Sequence, residues 1–563
     1  MKRLLIACLA SVPMLVNAVT DITVQPVEER QLPAPKNLKS GPYDLPIITW
    51  GGDIATILAN GNQAVTQPGS IFADAGLAFK LKRVDVFENQ LRDYLEGNTP
   101  YLRGTMSMIN MAASAVKGND ALTPTVFYQL TWSAGGDALV AKSNIQRPSD
   151  LCGKTIAMNY DGPHLNYANK VLTDAGCKLS DINFVFTKDL TGTRETPMEA
   201  FRAQNVDAAF VIIPDALAMT SGGGVGDGSE TSIKGAKILL STKTANRVIV
   251  DVYAVRSDYF ERNKQEVEAL AASLFKAQEN LQSLASTKGS EYQALMRASA
   301  GILLDAPDAI ADTEGLLLDA EISGFTQNVQ FFQNANNFRN FENIVKESAS
   351  GVIAMGIVSS AGPVAKADLN FALLASGVST IQPEKPKFDQ NEVTRVIENR
   401  QRQGGLDNAT IFEFEVYFRP NQQVFDSSLY SAEFQKVFEM ASTYGGAILT
   451  IEGHSDPLGY LRKKKEGEQP FVLNQIKTSA RNLSLTRANQ VKQAIIDFMS
   501  NEKGTVMDES QFGLIGHGIE MPNTGICGVD PCPPKTEQEW LSNMRVVFRI
   551  LQVEAEESVF SPL

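Results

Sequence analysis

Hydrophobic and polar positions alternate with two different periods along the first two thirds of the chain. Around residues 77–81, apolar side chains occupy every second position, which is typical of a strand with one buried face. Strand-like apolar runs occur at residues 47–50, 77–81, 125–130, 138–141, 184–186, 206–213 and 248–255. Helical stretches occur at residues 54–59, 106–116, 165–175, 198–203 and 266–284. This repetition of strand, turn and helix predicts an α/β fold with mostly parallel sheets.

The pattern changes in the last part of the chain. Phe412, Phe414 and Val416 lie on one side of a predicted strand, with other residues between them on the opposite side. Apolar residues recur at helical or strand spacing in residues 434–441, 488–498 and 546–550. The order strand, helix, strand, helix, strand, strand predicts an α+β sandwich with its helices on one face of the sheet.

Shifts in composition divide the chain into segments. Lys2 and Arg3 precede a short apolar run that ends in small residues, so residues 1–18 are predicted to be a secretory signal peptide. The run is too short to span a membrane. The other predicted segments are an extended lead-in at 19–44, the α/β region at 45–382, a linker with a charged helix at 383–408, the α+β domain at 409–553 and a tail at 554–563.

Composition and charge narrow the choice of partners. The 563 residues are 43% hydrophobic, enough for sizeable cores, and carry a formal net charge of −13. This acidic balance argues against nucleic acid as a partner. Four cysteines follow the predicted signal peptide, and an even number in an exported chain favours two disulfides. The simplest pairing joins Cys152 to Cys177 and Cys527 to Cys532, and metal binding by the second pair is not expected.

Turns after the predicted strands supply candidate residues for a small-molecule site. In α/β sheets, ligands lie at the carboxyl ends of strands, where glycine turns expose amides at helix N-termini. The candidates are Trp50, Gly51, Asp53, Ser107, Gln129, Tyr160, Asp161, Gly162, His164 and Asp215.

Several of these candidates have a structural alternative. Trp50 can belong to the core, and His164 can cap a helix or be solvated. The acids Asp53 and Asp161 can be turn or N-cap residues. Acids near the predicted cleft favour a ligand with an amine, whereas glycine-rich helix starts suit an oxyanion. The sequence therefore leaves the identity of the ligand open.

A second candidate site lies in the C-terminal domain. Asp456 follows a strand-like run, and Arg487 lies at the predicted start of an amphipathic helix. A carboxylate can bind an ammonium group, and a guanidinium with free helix amides can bind a carboxylate. The two residues can therefore bracket a small zwitterion. The alternative is that Asp456 is a turn residue and Arg487 a helix-surface arginine.

Four motifs in the C-terminal domain occur in a characteristic order. They are E-G-H-S-D-x-x-G at 452–459, L-S-x-x-R-A at 483–488, G-H-G at 516–518 and N-M-R-V at 543–546. Together they resemble the OmpA-like peptidoglycan-binding domain. The resemblance implies that Asp456 and Arg487 hold the diaminopimelate of the peptidoglycan stem peptide, with Asn543 and Arg545 as supporting residues. This chain departs from the family by an insertion before Arg487, and by Met544 where the family usually has arginine.

The α/β region also resembles a known family. The run D-L-C-G-K-T-I-A at residues 150–157, the glycine turn after it and the strand at 206–213 are similar to the type II periplasmic substrate-binding proteins of ABC importers. The sulfonate, nitrate, phosphonate and thiamine-precursor binders are the kin that this pattern suggests. The resemblance implies a bilobal periplasmic-binding-protein fold that closes on a small molecule between its lobes.

The combined expectation is a periplasmic solute-binding protein, associated with peptidoglycan or the outer membrane, that delivers a small molecule to an ABC permease. The sequence contains no nucleophile-elbow or P-loop pattern and no evident metal-ligand cluster among its three histidines. We therefore expect no enzymatic activity, no cofactor and no metal. One alternative is a structural or sensory envelope protein that uses the binding fold for signalling or partner contact. Another is an enzyme built on the binding fold.

Overall fold

The computed structural model describes residues 23–203, 205–229, 231–378, 388–402, 406, 410–417, 430–503 and 508–552. The predicted signal peptide, the predicted tail and the linker at 379–387 lie outside the described residues. In the part of the chain that is described, no helix is long and apolar enough to cross a membrane.

The N-terminal region alternates strands and helices, as the periodicity predicts. Its strands are β1 (Asp44–Ile47), β2 (Lys80–Arg83), β3 (Tyr101–Thr105), β4 (Pro124–Ser133), β5 (Asp137–Lys142), β6 (Thr155–Asn159), β7 (Asn183–Thr187), β8 (Ala208–Ile212), β9 (Ala236–Ser241), β10 (Val250–Arg256), β11 (Ala320–Ile322) and β12 (Ala365–Lys366). Its helices are α1 (Asp53–Ala59), α2 (Ile71–Asp74), α3 (Phe87–Leu95), α4 (Met106–Ala115), α5 (His164–Asp174), α6 (Pro197–Arg202), α7 (Ile213–Met219), α8 (Ser257–Arg262), α9 (Lys264–Thr287), α10 (Ser290–Leu303), α11 (Ile310–Leu318), α12 (Phe325–Phe332), α13 (Phe341–Ala354) and α14 (Phe371–Ala375).

Two sheets form two lobes. The first lobe has the strand order β11–β4–β10–β3, with β12 beside β4 and a separate pair of β1 and β2. The second lobe has the order β7–β6–β8–β5–β9. The chain passes from the first lobe to the second at residues 134–136 and returns at residues 242–249. This is the bilobal α/β arrangement that the sequence predicts.

The expectation of mostly parallel sheets is wrong. Strand β10 lies antiparallel to both β3 and β4, and β5 lies antiparallel to both β8 and β9. The physical reason is that the chain crosses between the lobes twice. Strands β5 and β10 each enter their sheet directly from the other lobe, so no helical crossover within the same sheet precedes them. Helical crossovers connect β6 to β7 and β7 to β8, and the pairs β6–β7 and β6–β8 are parallel.

Helix α13 joins the two lobes. Asn110 of α4, in the first lobe, donates through Nδ2 to Ser348 Oγ of α13 at 2.7 Å. Asn169 of α5, in the second lobe, donates to the backbone oxygen of Glu347 at 3.0 Å. A side chain at Gly351 would place its Cβ 2.8 Å from Asn169, so the helices touch closely. The lobes are therefore bridged by a helix from outside both sheets.

The C-terminal region contains the predicted order of strand, helix, strand, helix, strand, strand, with further short elements between them. Its elements are α15 (Gln390–Arg402), β13 (Thr410–Tyr417), α16 (Ser431–Thr443), β14 (Ile448–His454), α17 (Leu458–Lys465), α18 (Pro470–Lys503), β15 (Phe512–Gly518), β16 (Ile526–Cys527), β17 (Asp530–Pro531), α19 (Glu537–Ser542) and β18 (Arg545–Leu551). The sheet order is β13–β18–β14–β15, in which only β14 and β15 are parallel among these described strands.

Helices cover both faces of this sheet, which corrects the expectation of helices on one face. On one face, α18 lies so close that a Cβ at Gly453 would be 2.0 Å from the Ser484 carbonyl oxygen. On the other face, Ile397 of α15 lies against Gly513, where a Cβ would be 2.0 Å from its Cδ1. The charged linker helix is therefore amphipathic, and its apolar side packs with Ile448, among others, in a small core.

The C-terminal domain docks on the second lobe through α5. Lys170 Nζ lies 2.8 Å from Glu439, and the Tyr444 hydroxyl donates to Asp174 Oδ2 at 2.8 Å. The backbone N–H of Gly446 donates to the Thr244 carbonyl oxygen at 3.1 Å. The two regions therefore share a polar interface at the outer end of α5.

Both predicted disulfides are present. Cys152 pairs with Cys177, which ties the turn before β6 to the end of α5, and Cys527 pairs with Cys532 across the small β16–β17 hairpin. The two disulfides expected from the even cysteine count, and the simplest pairing among them, are therefore confirmed.

Candidate functional site

A buried ion-pair group lies under the first predicted ligand turn. Arg103 of β3 lies between Asp53 at the start of α1 and Asp251 of β10, at 2.8 Å and 2.5 Å. Arg103 and Asp53 are fully buried, and Asp251 nearly so. Burial raises the pKa of Asp53 to about 7, against the field of Arg103. The Asp53 carboxylate is thus engaged by the protein itself.

The turn before α1 is also covered by other parts of the chain. Trp50 Nε1 donates to Thr131 Oγ1 at 3.0 Å, and a Cβ at Gly136 would be 2.5 Å from the Trp50 ring. A Cβ at Gly51 would be 1.9 Å from the Leu316 carbonyl oxygen, so α11 lies directly on this turn. Trp50 therefore contacts β4 and the crossing segment at residues 134–136, and Gly51 contacts α11.

A second polar group occupies the start of α5. His164 Nε2 lies 2.8 Å from Asp137 Oδ1, and Ser133 Oγ donates to the other oxygen of Asp137 at 2.7 Å. His164 is fully buried, and its Nδ1 has no hydrogen-bond partner among the described residues. Asp137 is not among the sequence candidates, although its place after the Gly135-Gly136 turn at the start of an apolar strand could have indicated it.

Asp215, which follows β8, belongs to the same edge of the second lobe. Its Oδ1 accepts from Thr191 Oγ1 at 3.1 Å, and its Oδ2 is buried with no partner in the described chain. Burial raises the pKa of Asp215, and the nearby His164 opposes this shift. The carboxyl ends of β6 and β8 therefore bring His164 and Asp215 near each other.

The residues after β6 meet an arginine from the lead-in segment. The Arg30 guanidinium lies 4.8 Å above the Tyr160 ring and 3.5 Å from Glu88 of α3. Burial raises the pKa of Asp161 to about 6, against the field of Arg30. Arg30 thus contacts both lobes. The sequence gave no signal of this role, because Arg30 precedes Tyr160 by 130 residues.

Two further candidates from the first lobe are deeply buried. Ser107 Oγ and both side-chain polar atoms of Gln129 have no hydrogen-bond partner among the described residues. The Gln129 backbone amide is bound by Asn328 Oδ1 at 2.9 Å, which fixes its strand. Gly162 lies against Asn159, where a Cβ would be 2.4 Å from Oδ1. The candidates with a buried polar atom that has neither a hydrogen bond nor an ion pair among the described residues are Ser107, Gln129, Asp161, His164 and Asp215.

This arrangement can be compared with known proteins. Residues 72–283 match the family model described as NMT1/THI5 like. The match lies within the two lobes and includes seven of the ten candidate ligand residues, namely Ser107, Gln129, Tyr160, Asp161, Gly162, His164 and Asp215. No curated protein matches the chain.

Solved structures similar to this chain include binding proteins of importers. The periplasmic sulfonate-binding protein SsuA from Methylobacillus flagellatus KT is 14% identical, with 60% of this chain and 93% of that chain covered and a TM-score of 0.40. SsuA from Escherichia coli is 16% identical, with 62% and 97% covered and a TM-score of 0.39. The nitrate-binding protein NrtA from Synechocystis PCC 6803 is 13% identical, with 58% and 93% covered and a TM-score of 0.36. These similarities assign no ligand to the NMT1/THI5-like region.

The predicted second site lies outside the NMT1/THI5-like region, at the end of β14. Asp456 Oδ1 accepts from the Leu458 backbone N–H at 2.8 Å, and Oδ2 accepts from Asn543 Nδ2 at 3.1 Å. Asn543 is fully buried and also accepts from the Thr524 backbone at 3.2 Å. Burial raises the pKa of Asp456. The structure therefore brings Asn543 to Asp456.

Arg487 does not lie at the start of a helix. It lies in the middle of α18, which begins at Pro470. The reason is the insertion before Arg487, whose residues continue the helix backwards, so the amides near Arg487 are used within the helix. Arg487 is half-buried, burial lowers its pKa, and its guanidinium has no ion pair or hydrogen bond among the described residues.

Contacts one turn before Arg487 fix this part of α18 at the strand ends. The Ser484 hydroxyl accepts from the Gly518 backbone N–H at 2.9 Å, and Gly453 lies directly against the Ser484 carbonyl. The Ser455 backbone N–H donates to the Gly518 carbonyl oxygen at 2.7 Å. The helix segment with Arg487 and the loop with Asp456 are thus anchored to the same pair of strand ends.

Arg545 has a different setting from Asn543. Its Nε donates to Glu415 Oε1 at 2.9 Å, across the pair of β13 and β18. The basic residues at 462–465, in the insertion before Arg487, are largely exposed, and Lys464 lies 2.6 Å from Asp530 of the disulfide-closed hairpin. The structure therefore gathers Asp456 and Asn543 and holds Arg545 in an ion pair on the sheet.

Proposed function

We propose that this chain is a periplasmic solute-binding protein that is held to peptidoglycan by its C-terminal domain and delivers its solute to an ABC permease. The observation that supports solute capture is the set of buried, unpartnered polar atoms on Ser107, Gln129, Asp161, His164 and Asp215. The proposal extends to this chain the role of the sulfonate- and nitrate-binding proteins that it resembles in fold.

Buried polar atoms without partners are unfavourable, because each loses its hydrogen bonds to water at a cost of about 1–3 kcal/mol. A polar solute recovers these hydrogen bonds when it binds. Asp161 and Asp215 offer carboxylate oxygens, and His164 Nδ1 accepts when Nε2 donates to Asp137. Such a set of acceptors favours a solute with N–H or O–H donors, whereas Ser107 and the Gln129 amide can bind an oxyanion.

The test of solute capture is the melting temperature of the mature protein with small amines, amino acids and oxyanions. A solute at 100 times its Kd stabilises the native state by about 2.7 kcal/mol, so a clear rise is expected. Ser107→Ala and Asp215→Asn are expected to reduce the rise, while Asp368→Asn, at a highly exposed position, leaves it unchanged. A chain that none of these solutes stabilises contradicts solute capture.

The observation that supports wall binding is the half-buried Arg487 with no partner among the described residues, anchored to the strand ends that lead to Asp456. A guanidinium of this kind can bind the carboxylate of a diaminopimelate, and the Asp456 carboxylate can bind its ammonium. Because Asn543 donates to Asp456 Oδ2, the carboxylate is held in a fixed orientation.

Co-sedimentation with purified sacculi tests wall binding. We expect wild type to sediment with the sacculi, and Asp456→Asn and Arg487→Ala to stay in solution with unchanged circular dichroism. Arg297→Ala, an exposed helix arginine in the first lobe, is the matched control and is expected to sediment like wild type. Binding by both site variants contradicts the proposed site.

A second candidate, a sensory or structural envelope protein, is favoured by the bridging of the lobes. Helix α13 contacts α4 and α5, and Arg30 contacts Tyr160 and Glu88, so the lobes are held together from two sides. Such bridges oppose the hinge opening that solute exchange needs. Wall binding without any solute-induced stabilisation would favour this candidate.

A further inference from the structure

Two histidines and a glutamate meet inside the C-terminal domain. Glu452 and His454 lie two residues apart on β14, so they share one face of the sheet, and His517 lies on the neighbouring β15. One ligand atom from each residue lies within 4.8 Å of the others, and the side chains are only 1–2% exposed. We call these three residues the Glu/His cluster.

The His454 ring is oriented by the backbone. Its Nδ1 lies 3.0 Å from the Met521 carbonyl oxygen, which can only accept, so Nδ1 carries the proton. Nε2 therefore has a free lone pair, and this buried atom has no hydrogen-bond partner among the described residues. A metal-bound histidine typically donates from its other nitrogen to a backbone carbonyl or carboxylate. His454 already has this arrangement.

His517 supplies the third possible ligand atom of the cluster. Its Nε2 lies 2.8 Å from Glu452 Oε2, and its Nδ1 faces Gln401 of α15 at 3.4 Å. The two imidazole rings are stacked, with centroids 4.8 Å apart. Glu452 Oε1 is held separately by Thr450 Oγ1 at 2.8 Å. Each side chain of the cluster is thus held by a hydrogen bond through one polar atom. Its other polar atom, a possible metal ligand, faces the space between the three residues.

The charges around the cluster are compatible with a bound cation. Arg545 pairs with Glu415, and Arg549 lies 3.3 Å from both Glu413 and Glu452. With neutral imidazoles, these three carboxylates and two guanidinium groups carry one net negative charge. Arg545 is directed to Glu415, and Arg549 is shared between Glu413 and Glu452, so each guanidinium near the cluster has a carboxylate partner.

We propose that the Glu/His cluster binds one Zn²⁺ ion through Glu452 Oε2, His454 Nε2 and His517 Nε2, and that binding releases to solvent the proton that Glu452 Oε2 and His517 Nε2 share in the metal-free protein. Imidazole donors select Zn²⁺ and its neighbours in the transition series over Mg²⁺ and Ca²⁺. Zn²⁺ binds these donors at about 2.0–2.2 Å, so its ligand atoms lie roughly 3–3.5 Å apart. Only small side-chain adjustments bring the cluster to that spacing, because its atoms already lie within 4.8 Å.

The ion would tie β14 to β15 at the edge where the proposed wall-binding loop begins. Asp456 follows His454 by two residues, and the Met521 carbonyl that orients His454 also lies near Arg545. The ion would therefore lie beside the proposed peptidoglycan site, without contact to the peptidoglycan stem peptide. Zn²⁺ binding depends on the three residues of the cluster and does not require wall binding.

The test is a calorimetric titration of the EDTA-treated, full-length protein with ZnCl₂. We expect one Zn²⁺ per chain and a higher melting temperature, and a Co²⁺ titration is expected to give visible absorption bands of a nitrogen- and oxygen-bound ion. His454→Gln and His517→Gln are expected to weaken the affinity at least about 100-fold, since loss of a ligand exceeds the effect of losing an outer partner. Glu466→Gln, an exposed glutamate on the same domain, is the control.

Two outcomes would overturn the proposal. One is the absence of stoichiometric Zn²⁺ binding to folded wild type, which would make the cluster a hydrogen-bonded pair of Glu452 and His517 beside His454. The other is equal binding by wild type and by both histidine variants, which would locate the ion elsewhere. Because His454→Gln disturbs a buried site, near-ultraviolet circular dichroism of each variant confirms that it is folded, and His517→Gln supplies an independent reading.

Discussion

At the scale of single residues, the first lobe depends on one buried arginine. Arg103 lies between Asp53 and Asp251, and Thr131 Oγ1 donates to Asp251 at 3.1 Å while accepting from Trp50. Two carboxylates and one guanidinium in a dry interior are stable only while the pairing is complete. The turn at Trp50 is thereby linked through Thr131 to the ion pair.

Replacing Arg103 with Met is expected to lower the free energy of unfolding by about 3–5 kcal/mol, because two buried carboxylates lose their partner. The triple variant with Asp53→Asn and Asp251→Asn is expected to regain part of this loss. Urea denaturation measures both changes, with Arg297→Ala as an exposed control that stays within about 0.5 kcal/mol of wild type. A small effect of Arg103→Met alone would show that the pairing is not important for stability.

Asp161 makes stability depend on pH. Burial raises its pKa from 3.8 to about 6, so the folded state holds its proton more tightly than the unfolded state does. The contribution of this group to stability is fully present below about pH 4 and is lost as pH rises through about 6. Asp161→Asn is expected to remove roughly 3 kcal/mol of the fall in unfolding free energy between pH 4 and 7. Identical pH profiles for variant and wild type would contradict this assignment.

At the scale of elements, α15 is part of the C-terminal domain. Its residues Val393, Val396 and Ile397 are buried in one small core with Ile448 and Ile515 of the sheet. A predicted domain that begins at residue 409 would expose this sheet face to water. The boundary of the C-terminal domain therefore lies before α15. The many charged residues of this helix make its stripe of buried apolar residues hard to recognise in the sequence.

A fragment of residues 388–552 is expected to fold cooperatively, whereas one of residues 410–552 is expected to be unstable. In the full chain, Ile397→Ala should lower the unfolding free energy of this domain by about 2–4 kcal/mol through the cavity it leaves. Scanning calorimetry measures both. Equal melting of the two fragments would mean that α15 is dispensable.

At the scale of the whole molecule, the C-terminal domain and the second lobe share an interface at α5. A Cβ at Gly446 would lie 1.7 Å from the Lys243 carbonyl oxygen, so the loop between α16 and β14 fits closely against the lobe. The same helix α5 begins with His164 and is held by α13 at Asn169. The proposed solute site, the bridge between the lobes and the C-terminal domain thus all contact one helix.

Gly446→Ala is expected to separate the C-terminal domain from the second lobe, because the new methyl group overlaps the backbone. Small-angle scattering should then show a larger radius of gyration, with circular dichroism unchanged. Gly459→Ala is the matched control, since no atom lies within 4 Å of a Cβ there. Unchanged scattering for Gly446→Ala would show that the interface tolerates a shift of the loop.

The sequence by itself determined the order of strands and helices, the two disulfides and the strand end that carries Asp456. These features depend on local periodicity and on residue types, which are readable from neighbouring positions. It also identified the buried His164 and the half-buried Asp215, because both follow strand ends in α/β units.

Only the tertiary structure decided which distant residues meet. Arg30 reaches Tyr160, His517 reaches Glu452, and α15 covers the second sheet face, and each contact joins segments far apart in sequence. The position of Arg487 in the middle of α18 followed from an insertion that continued the helix. Strand pairing and domain docking are set by how whole faces bury their apolar area, and a local pattern does not contain that information.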